Sequence, residues 1–399
     1  NMVITPMYSF IVSFFISLFG NHLYVMHIIN SIIISLIFLI LSKKLGYYVF
    51  LLLPLLLDIS MPGYNIFTLF LIVILVNLLE NKNSDIILGI VVSFLFLTKQ
   101  NVGLVFLISL FYCSKNKFKS LISFFIPISI FIFYLFLNNA FFSFINYCFL
   151  GLFDFGNNNV VFQFLPVFLI ICLLLLLIFI KSDFKDYFCL IALCYQVIAY
   201  PIFNHAHFGL SFFIFCYYII LKLNIIKFFK NNKKIFFLFI FCCIVMVISL
   251  FLYPYNFNFN NLTLYKRNNS FLNGRITDEI FNEELTMINE DFEDILSRYD
   301  YCYFFSAHAY LVKLELGIRI NSFDLINNGN IGYKGDMKII EDVDNFCSNH
   351  SCLFVLDSFV FEGSQLNKKI IKYVKDEYEK VDVIGDFDFY DNCGEFYEK

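Results

Sequence analysis

Thr98-Lys99-Gln100-Asn101-Val102-Gly103 interrupts an otherwise apolar stretch between residues 86 and 113. A lysine and neighbouring carboxamides supply one positive charge and several N–H donors, a set suited to holding an anionic oxygen such as that of a phosphate. A charge within an apolar region costs about 3 kcal/mol on insertion scales, so its presence points to a role; a lysine snorkelling to the nearest interface is the plainer reading. A second polar cluster, Tyr200-Pro201-Ile202-Phe203-Asn204-His205-Ala206-His207-Phe208, sets His205 and His207 two residues apart. On an extended segment they share one side and could take a phosphate or a divalent metal ion, although water at an interface would satisfy them equally and spacing alone supports no metal site. Asp58, in Asp58-Ile59-Ser60-Met61-Pro62-Gly63-Tyr64-Asn65, could serve as general base or metal ligand at the mouth of a cavity, or be a solvated loop acid. Asp154 has the same two readings.

The elements that must position these residues are set by composition. Hydrophobic residues make up 60% of the 399 and charged ones 15%, and mean hydropathy is +0.75, so water is not the solvent for most of the chain. Apolar blocks fall near 23–41, 47–57, 64–79, 86–97, 102–113, 119–138, 161–180, 187–201, 207–223 and 235–253, which predicts about ten membrane-spanning helices. The blocks at 47–57, 86–97 and 102–113 are too short to cross unaided, and broken or tilted helices are expected there. Residues 6–19, with Ser9, Ser13 and Ser17 recurring every four positions after Pro6, read as a helix lying in the outer interface. The transmembrane domain is thus expected over 1–254 and a soluble α/β domain over 255–399.

Charge sets the orientation. Lys43, Lys44, Lys82, Lys115, Lys117, Lys119, Lys181, Lys185, Lys222, Lys227, Lys230, Lys233 and Lys234 fall in one set of alternate connectors, and Lys99 stands alone in the other. The first set is therefore read as cytoplasmic, which puts Asp58, Lys99, Asp154, His205 and the whole tail outside a cell membrane. Before residue 254, 14 basic and six acidic residues give +8; after it, 14 basic against 26 acidic give −12. So acidic a tail argues against a nucleic-acid partner and leaves the bilayer and small molecules.

The tail pattern predicts a helix over 276–298 capped by Thr277, a strand over 302–306, helices over 307–316 and 336–346, and a buried strand over 352–356. A Lys/Glu-rich helix over 365–379 and strands over 381–384 and 387–390 complete it. Gly329-Asn330-Ile331-Gly332-Tyr333-Lys334-Gly335 lacks the spacing of a dinucleotide fingerprint and reads as a loop. Cys347 and Cys352 bracket His350, short of a four-ligand zinc site; a local disulfide and two free thiols both fit.

In its order of features the chain resembles the GT-C superfamily of membrane glycosyltransferases, in particular bacterial proteins similar to protein mannosyltransferases and aminoarabinose transferases. The resemblance rests on Pro6 and Tyr8 followed by Phe19-Gly20 and a span, on Tyr64-Asn65 and Thr98-Lys99-Gln100, and on His207-Phe208 opening a late span. It implies transfer, usually inverting, of a sugar from a polyprenyl-phosphate-linked donor to a glycan, lipid or protein acceptor outside the cell. On this mapping Lys99, Gln100, His205 and His207 face the donor phosphate, Tyr64 and Asn65 line the acceptor cavity, and Asp58 is a second acid near the acceptor or a metal. The family's first span and its catalytic acid would fall upstream of Asn1, since no acid precedes Asp58. A lipid-linked oligosaccharide flippase, a surface-polysaccharide polymerase and a noncatalytic scaffold are the alternatives; the absence of an internal repeat counts against a transporter.

Overall fold

The computed structural model describes residues 6–20, 23–52, 63–80, 85–151, 263–264, 276–277, 291–305, 334–357, 365–384 and 387–391, with isolated positions at 231, 237, 241 and 286. These residues are mostly helical, and the chain divides into two compact units, Asn1–Phe141 with Val161–Asn256, and Phe142–Val160 with Phe257–Lys399. The helix expected over 307–316 and the four spans expected beyond residue 160 lie outside the described residues, isolated positions aside.

In the first unit, α1 (Pro6–Phe19) buries Tyr8 and Val12 and exposes Phe14 and Leu18. It is followed by α2 (Leu23–Leu45), a 3₁₀ segment (Gly46–Leu52) and α3 (Gly63–Glu80). Next come α4 (Asp85–Thr98), α5 (Gln100–Cys113) and α6 (Lys117–Leu137), which closes on Asn139 in the left-handed conformation. Among the described residues, Val25–Lys43 of α2 and Lys117–Leu137 are long and apolar enough to cross a membrane. Both expose rows of Ile, Leu and Phe, among them Ile28, Ile32, Leu39, Ile126, Ile130 and Phe133, as helices solvated by lipid do.

Helices α4 and α5 have 14 residues each. At 1.5 Å per residue each runs for roughly 21 Å, against a hydrocarbon core of roughly 30 Å. They form a tight hairpin: a Cβ on Gly103 would strike the backbone of Phe96 on the other side of the turn. At the open end, the backbone N–H groups of Lys115 and Asn116 donate to the Asp85 carboxylate at 3.3 and 2.8 Å, and Asn116 caps α6 by accepting from Lys119 N–H. Equal helix length is what lets Asp85, at the start of α4, meet the connector that follows α5. Helix α6 then lies along α4 with Ser120 and Ser123 against Gly89, small residues that let the two backbones approach. Ser120 Oγ donates to Ser114 Oγ at 2.7 Å beside this contact.

In the second unit, β1 (Thr263–Leu264) pairs antiparallel with β2 (Ile276–Thr277). Thr277 is therefore a strand residue and not the cap of a helix beginning there; two β-branched residues with an adjacent strand to pair with favour the pleated conformation. The described helix in this stretch is α8 (Glu293–Ser297), with α7 (Phe141–Ile145) belonging to the earlier part of the chain. Four strands, β3 (Tyr301–Phe305), β4 (Cys352–Asp357), β5 (Glu379–Ile384) and β6 (Phe387–Asp391), form a sheet ordered β3-β4-β6-β5. The pairing of β3 with β4 is parallel and the others are antiparallel. Helices α9 (Gly335–Cys347) and α10 (Gln365–Glu377) cover one face with Ile339, Val343, Ile370 and Val374 against Tyr303, Phe354 and Leu356. Phe292, packed on Phe304, lies on the other. Burial on both faces explains the unbroken apolar run of β4, whose Cys352, Leu353, Phe354, Val355 and Leu356 are all buried. Cys347 and Cys352 are joined in a disulfide that ties the end of α9 to the start of β4, and Lys369 of α10 pairs at 2.8 Å with the buried Asp336 in the first turn of α9.

Two expectations follow. Gly89→Leu forces α4 and α6 apart and lowers stability by about 1–3 kcal/mol, read as a fall in the thermal denaturation midpoint of the detergent-solubilised protein. Cys302, whose thiol burial pushes up to about 12, holds almost no thiolate at neutral pH. Peptide mass spectrometry at pH 7.5 should therefore find it unmodified by N-ethylmaleimide in the folded protein and modified in denaturant.

Candidate functional site

The turn between α4 and α5 is one residue long. Lys99 is extended (φ −150°, ψ 102°), yet its N–H donates to Leu95 O at 2.7 Å and its carbonyl accepts from Gly103 N–H at 3.0 Å, so each helix closes on it. A single residue out of helical conformation reverses the chain and leaves the lysine side chain directed into the unit. There it is 6% exposed, and its Nζ donates to Asn65 Oδ1 at 3.0 Å, 34 residues away in sequence. The Tyr64 ring lies 5.6 Å from the same ammonium, within cation–π range.

Asn65 and Tyr64 belong to the first turn of α3, immediately after Gly63. Thr68 donates its hydroxyl to Tyr64 O at 2.8 Å and Thr98 to Phe94 O at 2.7 Å; both threonines are fully buried, and their hydroxyls satisfy carbonyls one turn back on their own helices. Two donors remain without a hydrogen-bond partner among the described residues: Asn65 Nδ2, on a side chain 1% exposed, and Gln100 Nε2, on one 8% exposed. For Asn65 the orientation of the amide is forced. Lysine only donates, so the oxygen must face Nζ and the NH₂ must point away from it.

Three of the residues singled out in the sequence thus meet in one place, Lys99, Tyr64 and Asn65, and Gln100 follows Lys99 in the chain. Asp58, His205 and His207 lie outside the described residues, as does Asp154. The resemblance implies an acceptor cavity at Tyr64 and Asn65 and a phosphate site at Lys99 and Gln100; in the structure Asn65 is hydrogen-bonded to Lys99. A further polar pair borders it. Tyr8 Oη donates to Asn30 Oδ1 at 2.9 Å beside Gly63. The signal for Asn30 was an asparagine within the apolar run of α2, which the general abundance of asparagine in this sequence obscures. Among the described residues no group of three or more His, Cys, Asp or Glu side chains could hold a metal ion.

Chemically the cluster presents an ammonium and the carboxamide N–H of Asn65 in a region shielded from water, with the buried Gln100 amide on the next residue of the chain, a set suited to hydrogen-bond acceptors that carry negative charge. The Lys99–Asn65 bond also has a structural share that can be separated from binding. Asn65→Leu strands the ammonium without this acceptor and should destabilise the protein by about 2–3 kcal/mol, whereas Lys99→Met, which removes the charge as well, should cost less; thermal denaturation of both variants in one detergent decides it. Comparison with protein families, with curated proteins and with solved structures found no match to this chain.

Proposed function

We propose that the chain is a polytopic membrane glycosyltransferase of about ten spans that transfers a sugar from a polyprenyl-phosphate-linked donor to a glycan, lipid or protein acceptor outside the cell. The observation that carries this reading is the buried Lys99–Asn65 pair at the tip of the α4–α5 hairpin. The open end of the hairpin carries Lys115, Lys117 and Lys119, the basic side that the charge rule assigns to the cytoplasm. With arms of roughly 21 Å in a core of roughly 30 Å, the tip then falls in the outer half of the bilayer, just beneath the layer where a lipid-linked phosphate resides. Non-helical backbone at that depth is tolerated where it is enclosed by protein or lines a cavity, and Lys99 is such a residue.

In this reading the acceptor hydroxyl attacks the anomeric carbon, the bond from that carbon to the phosphate oxygen breaks, and the lipid phosphate departs with the electron pair. Lys99 and Gln100, joined by His205 and His207, stabilise the departing charge; a carboxylate takes the hydroxyl proton, with Asp58 as a second acid for the acceptor or a metal. The tail stands outside the cell, where the Cys347–Cys352 disulfide is at home, since disulfides persist in oxidising compartments.

The test is sugar transfer by the full-length protein in proteoliposomes supplied with radiolabelled lipid-linked sugars from its native membrane. Lys99→Ala should lower the transfer rate by about 10²-fold, as loss of a group that stabilises a developing anion does, and Asp58→Asn should lower it as well. Wild-type rates in both variants would sink the proposal.

A further inference from the structure

Resting on that reading, we infer that Asn65 is itself a ligand of the phosphate and forms, with Gln100, a neutral two-amide clamp beside Lys99. Three features of the site support this. The side chains of Asn65 and Gln100 are more than nine-tenths buried, and Asn65 Nδ2 and Gln100 Nε2 find no hydrogen-bond acceptor among the described residues. An unsatisfied buried N–H costs about 1–3 kcal/mol; one belongs to the residue bonded to Lys99 and the other to the residue that follows Lys99 in the chain, so they are not a neutral feature of packing. Finally, because Oδ1 of Asn65 faces the ammonium at 3.0 Å, the covalent geometry of the carboxamide holds Nδ2 within about 5 Å of Nζ. One tetrahedral anion can span donors that far apart, accepting from each through a different oxygen.

The missing partner must therefore accept hydrogen bonds and bring no donors that the amides would have to accommodate. A phosphate group has those properties, whether it belongs to a lipid headgroup or is free in solution. An acceptor sugar, with a donor on every hydroxyl, fits less well, which moves Asn65 from the acceptor side of the site to the phosphate side. The clamp holds the anion directionally without a second buried cation, whose desolvation would cost several kcal/mol.

The experiment uses the full chain in nanodiscs and reads binding by the thermal shift produced by farnesyl phosphate, inorganic phosphate and farnesol. Wild-type protein should be stabilised by farnesyl phosphate and not by farnesol; a response to inorganic phosphate of equal affinity would identify a free anion as the ligand, and a stronger response to farnesyl phosphate a lipid-borne one. Gln100→Leu removes an orphan donor without adding charge and leaves the Lys99–Asn65 bond in place. Its unliganded midpoint should not fall, while its affinity for the phosphate probe drops by at least about tenfold. To separate a ligand role for Asn65 from its hold on Lys99, Asn65→Leu is made in a Lys99→Met background. As an independent ligand, Asn65 gives the double variant about tenfold weaker binding than Lys99→Met alone. Equal binding by the double variant and Lys99→Met, or no phosphate response in the wild type, overturns the inference. Should the clamp behave as expected while no sugar is transferred, the glycosyltransferase reading fails and the phosphate site stands.

Discussion

The bond from Lys99 Nζ to Asn65 Oδ1 sets an ammonium among apolar helices, and an ion taken out of water loses several kcal/mol of solvation even after the protein relaxes around it. The surrounding architecture can be understood as the means of keeping that ion in place. A one-residue turn gives the side chain no flexible loop through which to swing back to solvent. Gly103 lets the arms of the hairpin close on each other, and the Asp85 carboxylate fastens their far ends through backbone N–H groups of the following connector. Gly89 against Ser120 and Ser123 then brings α6 onto α4. Small residues and a few hydrogen bonds thus add to this unit the kind of contact that apolar burial alone could not supply between helices in lipid.

The described elements of the second unit are patterned as in folds whose alternative to burial is water. Its helices α9 and α10 are amphipathic, residues 352–356 of β4 are all apolar and buried, and among the described residues of this unit Asp336, which has Lys369 as partner, is the buried charge. The disulfide adds a covalent tie between the end of α9 and the start of β4, the junction where the crossover enters the middle of the sheet. A sheet with one parallel and two antiparallel pairings needs such a crossover, and a short covalent link at its end fixes where the strand begins.

Helix existence was legible wherever composition alone dictates it. The apolar blocks of α2, α3, α4, α5 and α6 and the amphipathic repeats of α9 and α10 were placed to within a few residues, because a run of lipid-soluble residues or a 3.6-residue period admits few other structures. Thr277 was misplaced for the reason such errors usually arise: an N-cap signal is local, while β2 exists only because Thr263 and Leu264 lie opposite it. Lys99 was conspicuous as the one basic residue on its side of the sequence. What could not be read was its tie to Asn65, since a contact spanning 34 residues depends on how α3 packs against the hairpin, and nothing local encodes that packing.

Under the proposed reading, two carboxamides give an anion site that the fold can tolerate without its ligand. A second lysine near Lys99 would add like-charge repulsion and another desolvation penalty, both acting on the unliganded protein at all times. An orphan carboxamide costs about 1–3 kcal/mol, which a bundle packed on fully buried residues such as Ile37, Ile66, Leu69, Val92 and Leu95 can bear. An acceptor bound there as proposed would relieve that cost, so part of the binding energy would be the release of a penalty built into the fold. Neutral donors further limit how tightly the anion is held, because a hydrogen bond from an amide is weaker than one from a cation. For a site proposed to release a phosphate after each turnover, moderate affinity combined with directional contacts would serve better than an accumulation of positive charge.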